Sequence, residues 1–193
     1  GSSAVNDTKL VKAALSRGAE ELFCVVDDAL ESADAWQTAT ALAAALGRME
    51  YDVVLCGEGS SDQYAQQVGP LLGSMLGVPT LNGVSAVTAT DGKLRVERTL
   101  EDVVETVDVP LPAVLCVTSD INLPRVPQLK DILAAGKKPV TSWGLDELGG
   151  LAATAVEVES VLAPQDAERK HIIYDEVSDE AIAAVASAIK AAR

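Results

Sequence analysis

A chain of 193 residues with 48 % apolar content can bury one full core with an appended arm, and an aromatic share of 3 % leaves that core to Ala, Val and Leu. The formal net charge of −14 excludes an unaided nucleic-acid or anionic-membrane surface, because both partners need a basic face. No run approaches the roughly eighteen apolar residues of a membrane helix, and the first residues lack the basic and apolar regions of a signal peptide, so a soluble cytoplasmic protein is expected.

Asp7 to Ser16 reads as a helix: Asn6 or Asp7 can cap it, Leu10, Val11, Ala14 and Leu15 share a face, and Gly18 follows its end. Glu21 to Val26 is a strand, and Asp27-Asp28 at its carboxyl end suits a solvated turn. Ser32 to Met49 is an Ala-rich amphipathic helix, capped by Ser32 or Asp34. The order αβαβα predicts right-handed crossovers and a parallel sheet. With so few strands before the next loop, that sheet is expected to be short on one side, covered by a partner or completed by an opening βα or βαβ portion. Gly1 in place of Met fits a truncated or processed start.

Val53 to Cys56 is a buried-strand run, and Gly57 and Gly59 end it before a helical pattern. Ser60 followed by Gln63 has capping-box spacing, which would start a helix there with Asp62 in its favourable first turn. Ala65, Val68, Leu72 and Met75 would form its apolar stripe. Asp62, Gln66, Gly69 and Gly73 would form a polar face that becomes bare backbone, allowing close approach by a strand or a ligand. Gly77 and Pro79 stop the helix.

Ligands of open α/β sheets lie outside the carboxyl ends of strands, where helix N-termini offer free N–H donors. This bend has no Lys or Arg, and Glu58 and Asp62 are acidic. A nucleotide held through ribose, adenine edge and backbone suits it better than a triphosphate, and an ordinary capped turn is the alternative.

After Pro79 the character changes. Val84 to Thr90, Leu94 to Thr99 and Val103 to Val109 are short strands separated by Asp91-Gly92 and Glu101-Asp102, a hairpin or meander signature. Leu111 to Thr118 returns to the central sheet. Pro124-Arg125-Val126-Pro127-Gln128-Leu129 is an exposed, proline-stiffened loop leading into a short helix, Lys130 to Ala135, and Gly136-Lys137-Lys138-Pro139 is a basic corner. The lysines suit either a helix C-terminus or a docking loop anchored by Leu129 or Ile132. Val140 to Trp143 is a last strand and Leu145 to Leu148 a turn. Beyond the alternating segment Ala155 to Val161 and the linker Pro164-Gln165-Asp166-Ala167-Glu168-Arg169, Ser178 caps a terminal helix carrying Ile182, Val185 and Ile189. Such an arm has too little apolar surface for its own core and should lie on a partner.

Cys24, Cys56 and Cys116 are odd in number, far apart and each set in an apolar run without a CxxC pair. They read as buried thiols in a reducing compartment. His171 is the one histidine, with no Cys or Ser beside it, so a surface or strand-edge place is expected and triads and multi-histidine metal sites fall away.

The run Val96-Glu97-Arg98-Thr99-Leu100-Glu101-Asp102-Val103-Val104-Glu105-Thr106-Val107-Asp108-Val109-Pro110-Leu111-Pro112-Ala113-Val114 resembles the signature of the electron-transfer flavoprotein β subunit. Asp52 to Gly69 resembles that family's adenine-nucleotide loop, and Asn122-Leu123-Pro124-Arg125 with Leu129 its partner-recognition loop. Within the family, Glu58 to Gly69 and Lys137-Lys138-Pro139-Val140 are most similar to FixA-type subunits.

The resemblance implies an α/β fold with an open, mostly parallel sheet, Rossmann-like and binding an adenine nucleotide, with a β-hairpin insertion and a C-terminal arm. Residues 1–145 would be the nucleotide-binding domain, containing the hairpin 84–109 and the recognition loop 122–138, and residues 146–193 the arm. It also implies an electron carrier and not an enzyme. The carrier would be a heterodimer with an α subunit of FixB type that shares an FAD, with AMP or a second FAD in the β site, serving a flavin dehydrogenase or a FixC-type quinone reductase. Carried over by position, Gly57, Glu58, Gly59, Ser60, Ser61, Asp62, Gln63, Tyr64, Ala65, Gln66, Gln67 and Val68 would contact the nucleotide. Pro124, Arg125, Leu129 and Ile132 would meet the dehydrogenase, while Arg98 and Glu105 shape the hairpin. Family members open with a further βαβ portion ending before the residue matching Gly1, so the pocket should be incomplete in this chain. Two other readings use the same residues: a stand-alone adenine-nucleotide regulator of the universal-stress type, and an enzyme with Asp62 and Glu58 as an acid/base pair.

Overall fold

The structure, a computed structural model, describes residues 1–154, 156, 158–163 and 171–191. They fall into two compact units, Gly1–Glu157 and Val158–Arg193.

In the first unit, helix α1 (Thr8–Leu15) starts on Asp7, whose carboxylate accepts from Lys9 N at 2.8 Å. Strand β1 (Leu22–Val25) runs into Asp27, which accepts from Ala29 N and opens a tight 3-10 turn, so the acidic pair is a turn as expected. Helix α2 (Ala35–Leu46) is capped by Asp34 and not Ser32: Asp34 accepts from Gln37 N at 2.7 Å while the Gln37 side chain accepts from Asp34 N at 3.1 Å. Gln37 also donates to Ala152 O at 2.8 Å, and Thr154 Oγ1 to Asp34 at 2.7 Å, which fastens residues 152–154 to the start of α2.

Strand β2 (Val53–Gly57) is followed by the largest departure from expectation. Helix α3 (Val68–Leu76) begins seven residues later than the Ser60 cap would place it, with Gln67 as its N-cap. Two residues explain this: Tyr64 at φ 47° and Gln66 at φ 54° are left-handed, which a continuous right-handed helix cannot include. Asp62, not Ser60, takes the Gln63 N–H, at 2.7 Å. Asp62 and Gln66 therefore lie off the helix, and Ala65 is exposed instead of joining the stripe of Val68, Leu72 and Met75. Gly77, at φ 66°, ends the helix as expected.

Gly69 and Gly73 do lie on one face, and the neighbour they admit is the sheet. A Cβ on Gly69 would run into Cys116 Sγ, and one on Gly73 into Thr80 Oγ1. Bare backbone at two successive turns is what lets α3 sit directly on the strands.

The strands after it are β3 (Thr80–Thr90), β4 (Lys93–Thr99), β5 (Val104–Pro110), β6 (Ala113–Val117) and, beyond helix α4 (Leu129–Ala135), β7 (Val140–Trp143). Five form one sheet in the order β2-β6-β3-β4-β5, with β2, β6 and β3 parallel and β3-β4-β5 an antiparallel meander. β1 pairs in parallel with β7. The fold is α/β with a mostly parallel centre and an appended hairpin, yet β1 and β2, which the αβαβα order would set side by side, belong to different sheets. Among the described residues β2 pairs on one flank only, with β6. Leu55 on β2 is 63 % exposed although its register partner Leu115 is fully buried.

The core lies between the meander and the parallel strands: Val84, Leu94, Val96, Val109, Ala113 and Leu115 are buried together. The strict alternation of Leu94-Arg95-Val96-Glu97 explains it, since every second residue of β4 faces inward. On the opposite face Cys56 and Cys116 stand in register under Gly69; burial raises both thiols, Cys116 to about 11. No helix among the described residues is long and apolar enough to cross a membrane.

In the second unit, helix α5 (Asp179–Ala191) begins where Ala181 N donates to Ser178 Oγ at 3.1 Å, the expected cap. Ile182, Val185 and Ile189 share one exposed face with Tyr174 and Val177, lining a shallow apolar groove. His171 is exposed, as expected. The linker residues 164–169 and positions 155 and 157 of the alternating segment lie outside the described residues.

Candidate functional site

The carboxyl end of β2 emits an exposed loop from Gly57 to Gln67. Its root is tied to the neighbouring strand, where Glu58 N donates to Val117 O at 3.0 Å. Beyond that, Tyr64 N donates to Ser60 O at 3.0 Å and closes the loop on itself. The Tyr64 ring lies on Gly59: a Cβ there would sit 2.8 Å from Tyr64 Cδ2. Hydrogen bonding to Glu58 raises the Tyr64 phenol, whereas hydrogen bonds from the Ser60 hydroxyl and the Gln63 N–H lower the Asp62 carboxyl.

These positions make one continuous surface: Gly57, Gly59, Ser60, Ser61, Asp62, Gln63, Ala65, Gln66 and Gln67 are exposed, Glu58 and Val68 half-buried, and Tyr64 is 53 % exposed. None of them is a cation. At the start of α3 Pro70 has no N–H, so the first turn offers the donors of Gln67, Val68 and Gly69 alone. Three amide donors and the Ser61 hydroxyl, joined by that of Ser60 once it turns from Asp62, can hold a single phosphate but cannot neutralise a triphosphate. Asp62, kept ionised, is an acceptor for a ribose hydroxyl and a poor general acid.

Sequence reasoning missed the adjacent strand end. β6 is in register with β2 up to Gly57 and Val117, so Thr118, Ser119 and Asp120 leave the sheet beside the loop. Thr118 is braced there, N and Oγ1 both donating to Val84 O at 2.9 and 3.2 Å, and its hydroxyl lowers the Asp120 carboxyl. The rule that placed the first loop at a strand's carboxyl end applies equally to β6, and this was the available signal.

The second exposed segment is Asn122 to Ile132. Leu123 is 94 % and Leu129 73 % exposed, with Val126, Ile132 and Leu133 also open to solvent. Arg125 is 3.3 Å from Asp131, whose carboxylate also accepts from Gln128 N at 3.0 Å and is lowered by that bond and by Arg125. The polar contacts thus hold the bend while the apolar side chains point outward. The basic corner divides: Lys138 Nζ donates to Leu15 O at 2.8 Å and Ala19 O at 2.5 Å, closing the C-terminus of α1, while Lys137 is exposed.

Arg98 supports the hairpin as expected, donating to Asn82 O at 2.9 Å and Asn82 Oδ1 at 2.6 Å and lying 3.3 Å from Glu105. A family model described as the electron transfer flavoprotein domain matches residues 1–148.

Proposed function

The chain belongs to the electron transfer flavoprotein domain family, and on that premise we propose that it is the β-type, FixA-like subunit of a heterodimeric electron carrier. The observation that carries this reading is the loop Gly57 to Val68: open to solvent, free of cations, and set at the carboxyl end of a parallel strand. Its donors fit the monophosphate and adenosine of AMP, or the AMP half of an FAD.

Ser60, Ser61 and the amides at the start of α3 would hold phosphate, and Asp62 or Gln66 would accept from ribose. An FAD shared with the α-type subunit would supply the redox chemistry; this chain's part is to bind, orient and shield. A carrier needs no nucleophile or base of its own, which suits a loop whose carboxylates are engaged in local hydrogen bonds. The braced, outward-facing Leu129 segment, with Pro124, Arg125 and Ile132, suits brief docking to a flavin dehydrogenase or a FixC-type quinone reductase. The exposed face of α5 suits lasting contact with the α subunit.

Co-expression with a cognate α-type subunit tests the reading: a yellow heterodimer is expected, and extraction with nucleotide analysis distinguishes AMP from a second FAD. A colourless, monomeric product beside a folded α partner overturns it.

A further inference from the structure

We infer that Tyr64 is the stacking platform of the β2–α3 loop, the surface on which a planar heteroaromatic ring, adenine or isoalloxazine, comes to rest. This rests on the nucleotide-binding reading above and adds to it the residue that selects for a ring. Tyr64 is the loop's one aromatic side chain, in a chain where aromatics are only 3 % of residues. One face of its ring lies on the bare backbone of Gly59, where a Cβ would come 2.8 Å from Cδ2 and 3.1 Å from Cε2. The residue as a whole is 53 % exposed, so ring surface remains open for a ligand.

The ring is also held there and does not merely drift. Its main chain is left-handed at φ 47°, a conformation unfavourable to an aromatic residue and kept by the Tyr64 N to Ser60 O bond. Its hydroxyl is engaged by Glu58, which is anchored through its own N–H to the end of β6. A rigid aromatic supported on one face, with ring surface still open, loses little freedom when a second ring stacks on it. Without cations to bind charge, the loop draws much of its affinity from that contact, and a ligand with sugar and phosphate but no base gains nothing from it.

The test uses the intact protein co-expressed with an α-type subunit, stripped of loosely bound nucleotide. Binding of AMP, FAD and ribose 5-phosphate is measured calorimetrically for wild type, Tyr64→Phe and Tyr64→Ala. Tyr64→Phe is expected to keep AMP or FAD affinity within about threefold, and Tyr64→Ala to lose about 5- to 150-fold, the range for removing one base–aromatic stack. Ribose 5-phosphate binding should not change in either. Equal affinity in wild type and Tyr64→Ala overturns the platform while leaving the nucleotide site intact. An equal loss for ribose 5-phosphate overturns it too, showing that Tyr64 only shapes the loop. If the wild type binds neither AMP nor FAD, the functional reading fails together with this inference.

Discussion

Replacing Gly73 by Ala sets two effects of opposite sign against each other. In an exposed helix interior the change would stabilise by about 1 kcal/mol, because Ala is the better helix former. Here the new Cβ would press on Thr80, coming within 2.8 Å of Thr80 Cβ and 2.9 Å of Cγ2 and closer still to Oγ1. Thr80 is β-branched, opens β3 and is bonded through its hydroxyl to Val78 O at 3.0 Å, so it cannot swing away. Helix α3 must lift off the sheet instead. Overpacking of this kind costs up to about 3 kcal/mol, which leaves a net loss near 2 kcal/mol. For a chain of this size that lowers Tm by about 4–8 °C. Urea and thermal unfolding of Gly73→Ala, Thr80→Ala and the double variant would measure it, and the double variant should regain at least half of the loss, since removing Oγ1 and Cγ2 reopens the space. A single variant as stable as wild type, or more so, would refute the claim that Gly73 is there for close packing.

On the proposed carrier reading, Leu129→Ala should abolish most electron transfer to the acceptor while flavin content of the co-expressed complex stays unchanged; flavin loss would overturn the docking role proposed for this loop. The Cys116 thiol, raised to about 11 by burial, should resist a thiol reagent at pH 7 in the folded protein and react at once in denaturant. Asp108, held to about 2 by hydrogen bonds from Arg95 and Lys93, has a folded pKa below its unfolded one. Its contribution is therefore complete above about pH 4 and disappears as pH falls towards 2, so urea midpoints of Asp108→Asn should converge with wild type at the acid end and separate above it.

Much of this fold was legible because its signals are local. Asp7, the Asp34–Gln37 pair, Gly77 and Ser178 each mark a helix end through chemistry contained in four residues. The alternation in β4 likewise states which side faces inward. The helix start at Ser60 was misread for a physical reason: Ser60 and Gln63 have capping spacing, but the left-handed Tyr64 and Gln66 break the helix, and no local rule warns of non-glycine residues at such angles. The neighbourhood of β6 and the anchoring of Lys138 to α1 join residues far apart in the chain, so they could be seen only once the chain was folded. The glycine face at Gly69 and Gly73 was read correctly as a place of close approach; which neighbour it admits was decided by tertiary packing.

The flank of β2 left unpaired among the described residues bears on how such a chain has to be made. A strand with no neighbour on one flank among the described residues, and an exposed leucine at its middle, is a template for any extended peptide nearby, including another copy of itself. Solubility should then depend less on the −14 surface than on timing: synthesis beside whatever covers that flank preserves the chain, and crowding with its own kind wastes it.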